Sequence, residues 1–168
     1  MALSMYDISV PVFTRGLAQL RHVLGKGLAH AQANGIDPST LVDARLAPDM
    51  LTLAGQVQRA SDASKLGTAR IAGVTAPSFP DEEKSYDELL VRIAKTEEFL
   101  LSVDRAQIDG HEDRPVVVTA RGTEVHFTAQ RYLLQFALPN FFFHATTAYD
   151  VLRNAGVPVG KMDYLGKF

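Results

Sequence analysis

A chain of 168 residues with a formal net charge of −2 and 46% hydrophobic side chains has the size and make-up of one soluble domain, residues 1–168, able to bury a core without covalent staples. Seventeen Lys and Arg against nineteen Asp and Glu, with no basic run, argue against a nucleic-acid or acidic-membrane partner. Cysteine is absent, which removes disulfides, thiolate nucleophiles and thiolate metal sites together.

Met1 to Asp7 shows neither a basic stretch nor an apolar one of signal-peptide type, and no apolar run approaches the roughly 20 residues of a membrane helix, so a cytoplasmic protein is expected. The first helix is predicted from about Pro11 to Asn34. Val12, Leu17, Leu20, Val23, Leu24, Leu28 and Ala31 recur at three- and four-residue spacing, and Gly35 is placed to end the helix in a left-handed cap. Gly16, Gly25 and Gly27 weaken it and suggest close approach of another backbone. A short turn of helix follows at Pro38 to Asp43. A second long helix is expected from Pro48 to Gly73, with Asp49 in its first turn complementing the helix dipole. Thr75 to Glu83, with Pro77 and Pro80, reads as a loop. Ser85 and Glu88 form a capping box that opens a third helix, running to about Val103.

After a polar connector, Asp109 to Asp113, two β-rich runs at Pro115–Ala120 and Thr123–Thr128 flank Arg121-Gly122 and predict a hairpin. Such a hairpin is marginal alone and must pack on the helices or on a partner. The closing helix runs from about Ala129 to Asn154 and stops at Gly156. Pro139 cannot donate to the Gln135 carbonyl, so a kink or break is expected there. The predicted architecture is mainly α, a four-helix bundle with a short β-hairpin inserted before the last helix.

The tail carries Asn140-Phe-x-x-His144-x-x-Thr147-Ala148-Tyr149-x-x-Leu152-Arg153-x-x-Gly156 and then Gly160-Lys161-x-Asp163-Tyr164. With Leu46-Ala47-Pro48-Asp49-Met50-x-x-Leu53-x-x-Gln56-Val57-Gln58, these residues resemble one branch of the DinB/YfiT-like superfamily, a bacterial domain family of unknown function. The resemblance covers essentially the whole chain and implies the superfamily's four-helix bundle, often a dimer. Metal-binding relatives hold a divalent ion with one histidine on the second helix and two spaced by four on the last. Here His144 matches the second of that pair, Asn140 stands where the first would be, and the second helix has no histidine. An amide is a poor ligand for zinc or nickel, so neither a metal nor another cofactor is expected.

Asn140 and His144 lie one helical turn apart, on one face. Either they line a polar pocket with His144 as an acid or base, or they satisfy each other and the backbone group freed by Pro139. Asp49, Gln56, Gln58 and Asp62 are the polar residues of the second helix: either they form a solvated face, or Gln56 or Asp62 faces Asn140 and His144 across the bundle. His22 and His30, eight apart, cannot chelate one ion. No nucleophile elbow, dinucleotide fingerprint or phosphate loop occurs. Phe141, Phe142 and Phe143 project about 100° apart and cannot all enter one core, so the hairpin or a second subunit must cover some, and a homodimer is expected. Arg153 is expected to pair with Asp150 and, with Lys161 and Asp163, to fix a tail ending in Tyr164, Leu165 and Phe168.

Three functions stay open: a small-molecule-binding bundle with pocket residues Asn140, His144, Gln56, Asp62 and Asp49, including a metal-independent enzyme; a non-catalytic dimeric structural or interaction protein; and a divergent metalloprotein using His144 with Asp49 or Asp62. No substrate or reaction is legible.

Overall fold

In the computed structural model, which describes residues 3–120 and 122–167, the chain runs through α1 (Val10–Ala33), α2 (Pro38–Val42), α3 (Leu53–Ala72) and α4 (Tyr86–Leu101), then a 3-10 turn at Arg105–Gln107. It continues through strands β1 (Pro115–Ala120) and β2 (Thr123–Thr128), α5 (Ala129–Tyr132), a π turn (Leu133–Ala137), α6 (Leu138–Asn154) and α7 (Lys161–Leu165). The four long helices and the hairpin before the last of them are those expected. Arg121, in the predicted hairpin turn, and Met1, Ala2 and Phe168 lie outside the described residues.

Several boundaries follow from single side chains. Gly35 takes φ +64° after α1 and Gly73 takes φ +70° after α3, as left-handed caps. The Ser85–Glu88 capping box is formed at the start of α4. The start of α3 differs from expectation. Thr52 accepts from Gly55 N–H at 3.1 Å and caps the helix, so Pro48 and Asp49 fall in a preceding turn and Asp49 is exposed outside the first helical turn.

The glycines of α1 answer to side chains rather than to backbone. A Cβ on Gly16 would collide with the Phe141 ring, and one on Gly27 would lie 2.8 Å from the Tyr86 hydroxyl and 3.0 Å from Leu152, whereas Gly25 faces open space. α1 therefore packs tightly on α4 and α6 at two points.

Pro139 does not break the closing helix. The Leu138 N–H reaches back five residues to the Leu133 carbonyl, and this π bond lets α5, the π turn and α6 run on as one rod from Ala129 to Asn154. The hairpin packs on its N-terminal part. Val116 and Val118 are buried, and Phe127 meets Tyr132 and Phe136 at 6.0 and 6.3 Å between ring centres. Of the three consecutive phenylalanines only Phe141 is buried, edge-on to Phe13; Phe142 is 39% and Phe143 55% exposed.

The tail docks differently from expectation. Its last turn forms α7 against α1. Asp163 bonds Lys26 at 2.9 Å and His22 at 3.2 Å, while Arg153 turns to the Val159 carbonyl at 2.7 Å rather than to Asp150, Lys161 or Asp163. Tyr164 meets Thr146 Oγ1 at 2.9 Å. Among the described residues no helix is long and apolar enough to cross a membrane.

Candidate functional site

α3 and the closing helix lie side by side and antiparallel. Their contacts run from Gln56 with His144 at one end, through Gly67 with Ala137, to Arg70 with Tyr132 at the other. Along this seam α3 presents Gln56, Arg59, Asp62, Ala63, Leu66 and Arg70 at helical spacing. Opposite them stand His144, Asn140, Ala137, Phe136 and Tyr132. The seam thus brings together four of the five expected pocket residues, Asn140, His144, Gln56 and Asp62. Asp49, exposed ahead of α3, stays out of it.

At the first end Gln56 is 1% exposed and its carbonyl oxygen lies 2.7 Å from His144 Nδ1. The Gln56 amide nitrogen donates to the Leu51 carbonyl at 3.4 Å, which orients the side chain so that His144 Nδ1–H donates to it. The imidazole is thereby held in one tautomer with Nε2 free to accept. Half-burial, seconded by the positive charge of Arg59, lowers the His144 pKa, so the ring is neutral at pH 7. Its partner is Gln56 and not Asn140.

Midway, a cleft of about 180 Å³ is lined by Arg59, Asp62, Leu66, Tyr132, Phe136 and Asn140, with Arg70 at its far end and Val118 of β1 closing one side. The π turn supplies two of its walls, Phe136 and Ala137.

Behind the cleft the bundle interior is polar to an extent that the solvated-face alternative for α3 did not anticipate. Gln58 is 8% exposed and bonds Glu83 at 2.9 Å. Arg92 of α4, 2% exposed, bonds Asp62 at 3.0 Å, Asp81 at 3.0 Å, Glu83 at 3.0 Å and the Pro80 carbonyl at 3.0 Å, and its Nε meets Ser61 Oγ at 3.2 Å. Ser61 in turn meets Thr96 Oγ1 at 2.7 Å. Lys65, 3% exposed, pairs with Asp62 at 3.0 Å and lies 4.1 Å from the centre of the Phe79 ring. Arg59 pairs with Asp81 and Asp62. Burial pushes the Glu83 carboxyl up, but hydrogen bonds from its own backbone N–H, Arg92 and Gln58, with the Arg92 charge, bring it net below the usual range. Such buried charges persist only when paired, and here they pin the loop 75–84 across α3 and α4.

The donor set does not suit a metal ion. His144 offers one imidazole nitrogen, its neighbours Gln56 and Asn140 are amides, and the Asp62 carboxylate is engaged by Lys65 and Arg92. The other histidines lie elsewhere: His22 on Asp163, His30 beside Asn34, His111 in the connector and His126 on β2 beside Glu124. Among the described residues no three His, Cys, Asp or Glu side chains converge as a metal cage.

Residues 5–165 match the family model described as a domain of unknown function, DUF1993. The chain belongs to this family. Among solved structures, this DUF1993 chain is similar to a DinB family member protein from Shewanella denitrificans, at 36% identity and a TM-score of 0.88, over 97% of this chain and 92% of that one. The match bears out both the DinB-like resemblance and the bundle with its inserted hairpin. No curated protein matches the chain.

Arg59, Lys65, Arg70, Arg92 and Tyr132 of the DUF1993 chain were not singled out from the sequence. Arg59, Lys65 and Arg70 were readable only as the charged side of an amphipathic helix. One signal was present: Arg59, Asp62, Leu66 and Arg70 follow three- and four-residue spacing from Gln56, so they share its face.

Proposed function

We propose that this bundle binds a small organic molecule in the seam between α3 and the closing helix, with Asn140, His144, Gln56 and Asp62 facing it. The observation that supports this most is the Gln56–His144 hydrogen bond at 2.7 Å. A buried amide is committed to fixing the tautomer of a half-buried imidazole whose second nitrogen has no hydrogen-bond partner among the described residues, one helical turn from Asn140, which lines a cleft walled by aromatic and charged side chains. Pockets for small molecules combine apolar walls with a few placed polar groups in this way. A neutral His144 can accept a hydrogen bond or a proton from a bound molecule. Among the described residues no Ser or Thr hydroxyl is hydrogen-bonded to His144, so we propose binding, with acid–base chemistry at Nε2 as its catalytic extension.

The test is a thermal-shift screen against metabolite pools, with His144→Ala alongside. A ligand that binds only the native state raises its stability. The expected result is a response in the parent protein that is lost or reduced in the variant. A flat response in both counts against the reading.

Exposed Phe142 and Phe143 favour a second statement, that the protein acts as a homodimer through the outer face of α6. Sedimentation at micromolar concentration is expected to give a dimer, and Phe143→Glu a monomer. A monomeric parent protein rejects it. The absence of cysteine fits a reducing compartment such as the bacterial cytoplasm.

A further inference from the structure

The charges around the seam do not balance. Arg59, Lys65 and Arg92 are matched by Asp62, Asp81 and Glu83 in one connected set of ion pairs. Arg70 stands apart from that set. Among the described residues no carboxylate comes within ion-pairing distance of it, and its one hydrogen bond goes to the Tyr132 hydroxyl at 2.8 Å. It is half-buried, at the end of the cleft, with its guanidinium 5.5 Å from the centre of the Tyr132 ring.

Tyr132 completes the arrangement. Its ring is 1% exposed, and burial, against a smaller opposing influence of Arg70, raises its pKa, so the phenol keeps its proton. The hydroxyl oxygen accepts from Arg70, which leaves the O–H free to donate. Across the cleft the Asn140 amide has no hydrogen-bond partner among the described residues. The rest of the lining is the apolar Ala63, Leu66, Val118, Phe136 and Ala137, together with Arg59 and Asp62, which are ion-paired to each other and to the buried set.

We infer that the cleft takes a small organic carboxylate: the Arg70 guanidinium and the Tyr132 hydroxyl receive the carboxyl group, and its apolar body lies against Leu66 and Phe136 toward Asn140. The inference deepens the reading of the seam as a ligand site and rests on it. A planar guanidinium matches a carboxylate with two parallel hydrogen bonds, and the adjacent O–H adds a third donor. Arg59, already held by two carboxylates, is poorly placed to compete for the anion. The same ion pairs keep Asp62 from repelling it.

The experiment is an NMR titration of the 15N-labelled full chain with three acid–amide pairs: benzoate and benzamide, phenylacetate and phenylacetamide, hexanoate and hexanamide. At least one acid is expected to shift the Arg70 Nε–H and Asn140 side-chain signals and to bind more tightly than its amide. Arg70→Gln is expected to weaken that acid by about tenfold or more while leaving the amide unchanged, because the charge-assisted contact alone is lost. Tyr132→Phe, which keeps the ring, is expected to weaken the acid less. It serves as the second variant should Arg70→Gln fail to fold. If acids and amides bind the cleft alike, the carboxylate assignment is overturned and the ligand site survives. If no compound moves the Arg70 or Asn140 signals, the assignment is likewise overturned, and the wider reading stands or falls on the His144-dependent thermal shift.

Discussion

His144 and Gln56 hold each other, and each exposes the other's dependence. With Gln56 1% exposed, His144→Ala leaves its carbonyl without its partner, and a buried acceptor so orphaned costs about 1–3 kcal/mol. Urea unfolding is expected to show that loss at pH 8. The same pair has a pH signature. Because the folded-state pKa of His144 lies below its ordinary value of 6.5, the unfolded chain binds more protons as the pH falls through that value. Stability is therefore full above it and declines below it until the folded-state ring also protonates. Subtracting the His144→Ala curve from that of the parent protein isolates this decline. A difference that is constant between pH 5 and 8 rejects the assignment. The pairing itself was only half legible in the chain. The i,i+4 spacing put Asn140 and His144 on one face, but the partner of His144 stands 88 positions away on α3, where local spacing carries no information.

At the scale of elements, what could be read was whatever is decided within a few residues. The Ser85–Glu88 box, Gly35, Gly73 and the alternating runs around Gly122 each carry their geometry locally, and each element appeared where expected. The start of α3 was misplaced because Pro48-Asp49 and Thr52 are both good openings, and Leu53 donating to the Ala44 carbonyl, a tertiary contact, selects the second. The polar interior was not legible at all. Arg92, Ser61 and Asp62 become partners only when α4 packs on α3, and Glu83 only when the loop 75–84 folds over both. Arg92→Ala leaves three carboxylates without their shared cation, and breaking such a buried arrangement costs about 3–5 kcal/mol. The expected first sign is release of the loop, seen as faster amide exchange over residues 78–84. Equal exchange in variant and parent contradicts the clamp. The Gly16 contact gives a cleaner mechanical test. A methyl placed there meets the Phe141 ring, so Gly16→Ala is expected to destabilise by about 1–3 kcal/mol, whereas Gly25→Ala, into open space, stabilises or leaves stability unchanged.

For the whole molecule, the tail and the closing rod decide how the parts are held. Hydrogen bonds from Lys26 and the Gly160 N–H keep the Asp163 carboxyl well below the usual carboxylate range. The latch of α7 on α1 is thus at full strength above the ordinary Asp range and weakens progressively as the pH falls below it. Lys26→Ala is expected to loosen residues 161–165 at neutral pH, read as faster proteolysis of the C-terminus with the melting of the bundle little changed. The π turn has a consequence of another kind. It houses one residue more than an α-helical stretch of the same length, so the two halves of the rod are out of phase by about 100°. The hairpin and Tyr132 are keyed to one phase, Asn140 and His144 to the other. Winding the undeleted sequence as plain α-helix would swing Tyr132 and the hairpin by about 100° around the axis, away from Arg70, whereas deleting a single residue within 133–137 would let the rod regularise into α-helix with its two halves still in their present phase. The cleft exists because the helix that forms its wall has slipped by one residue.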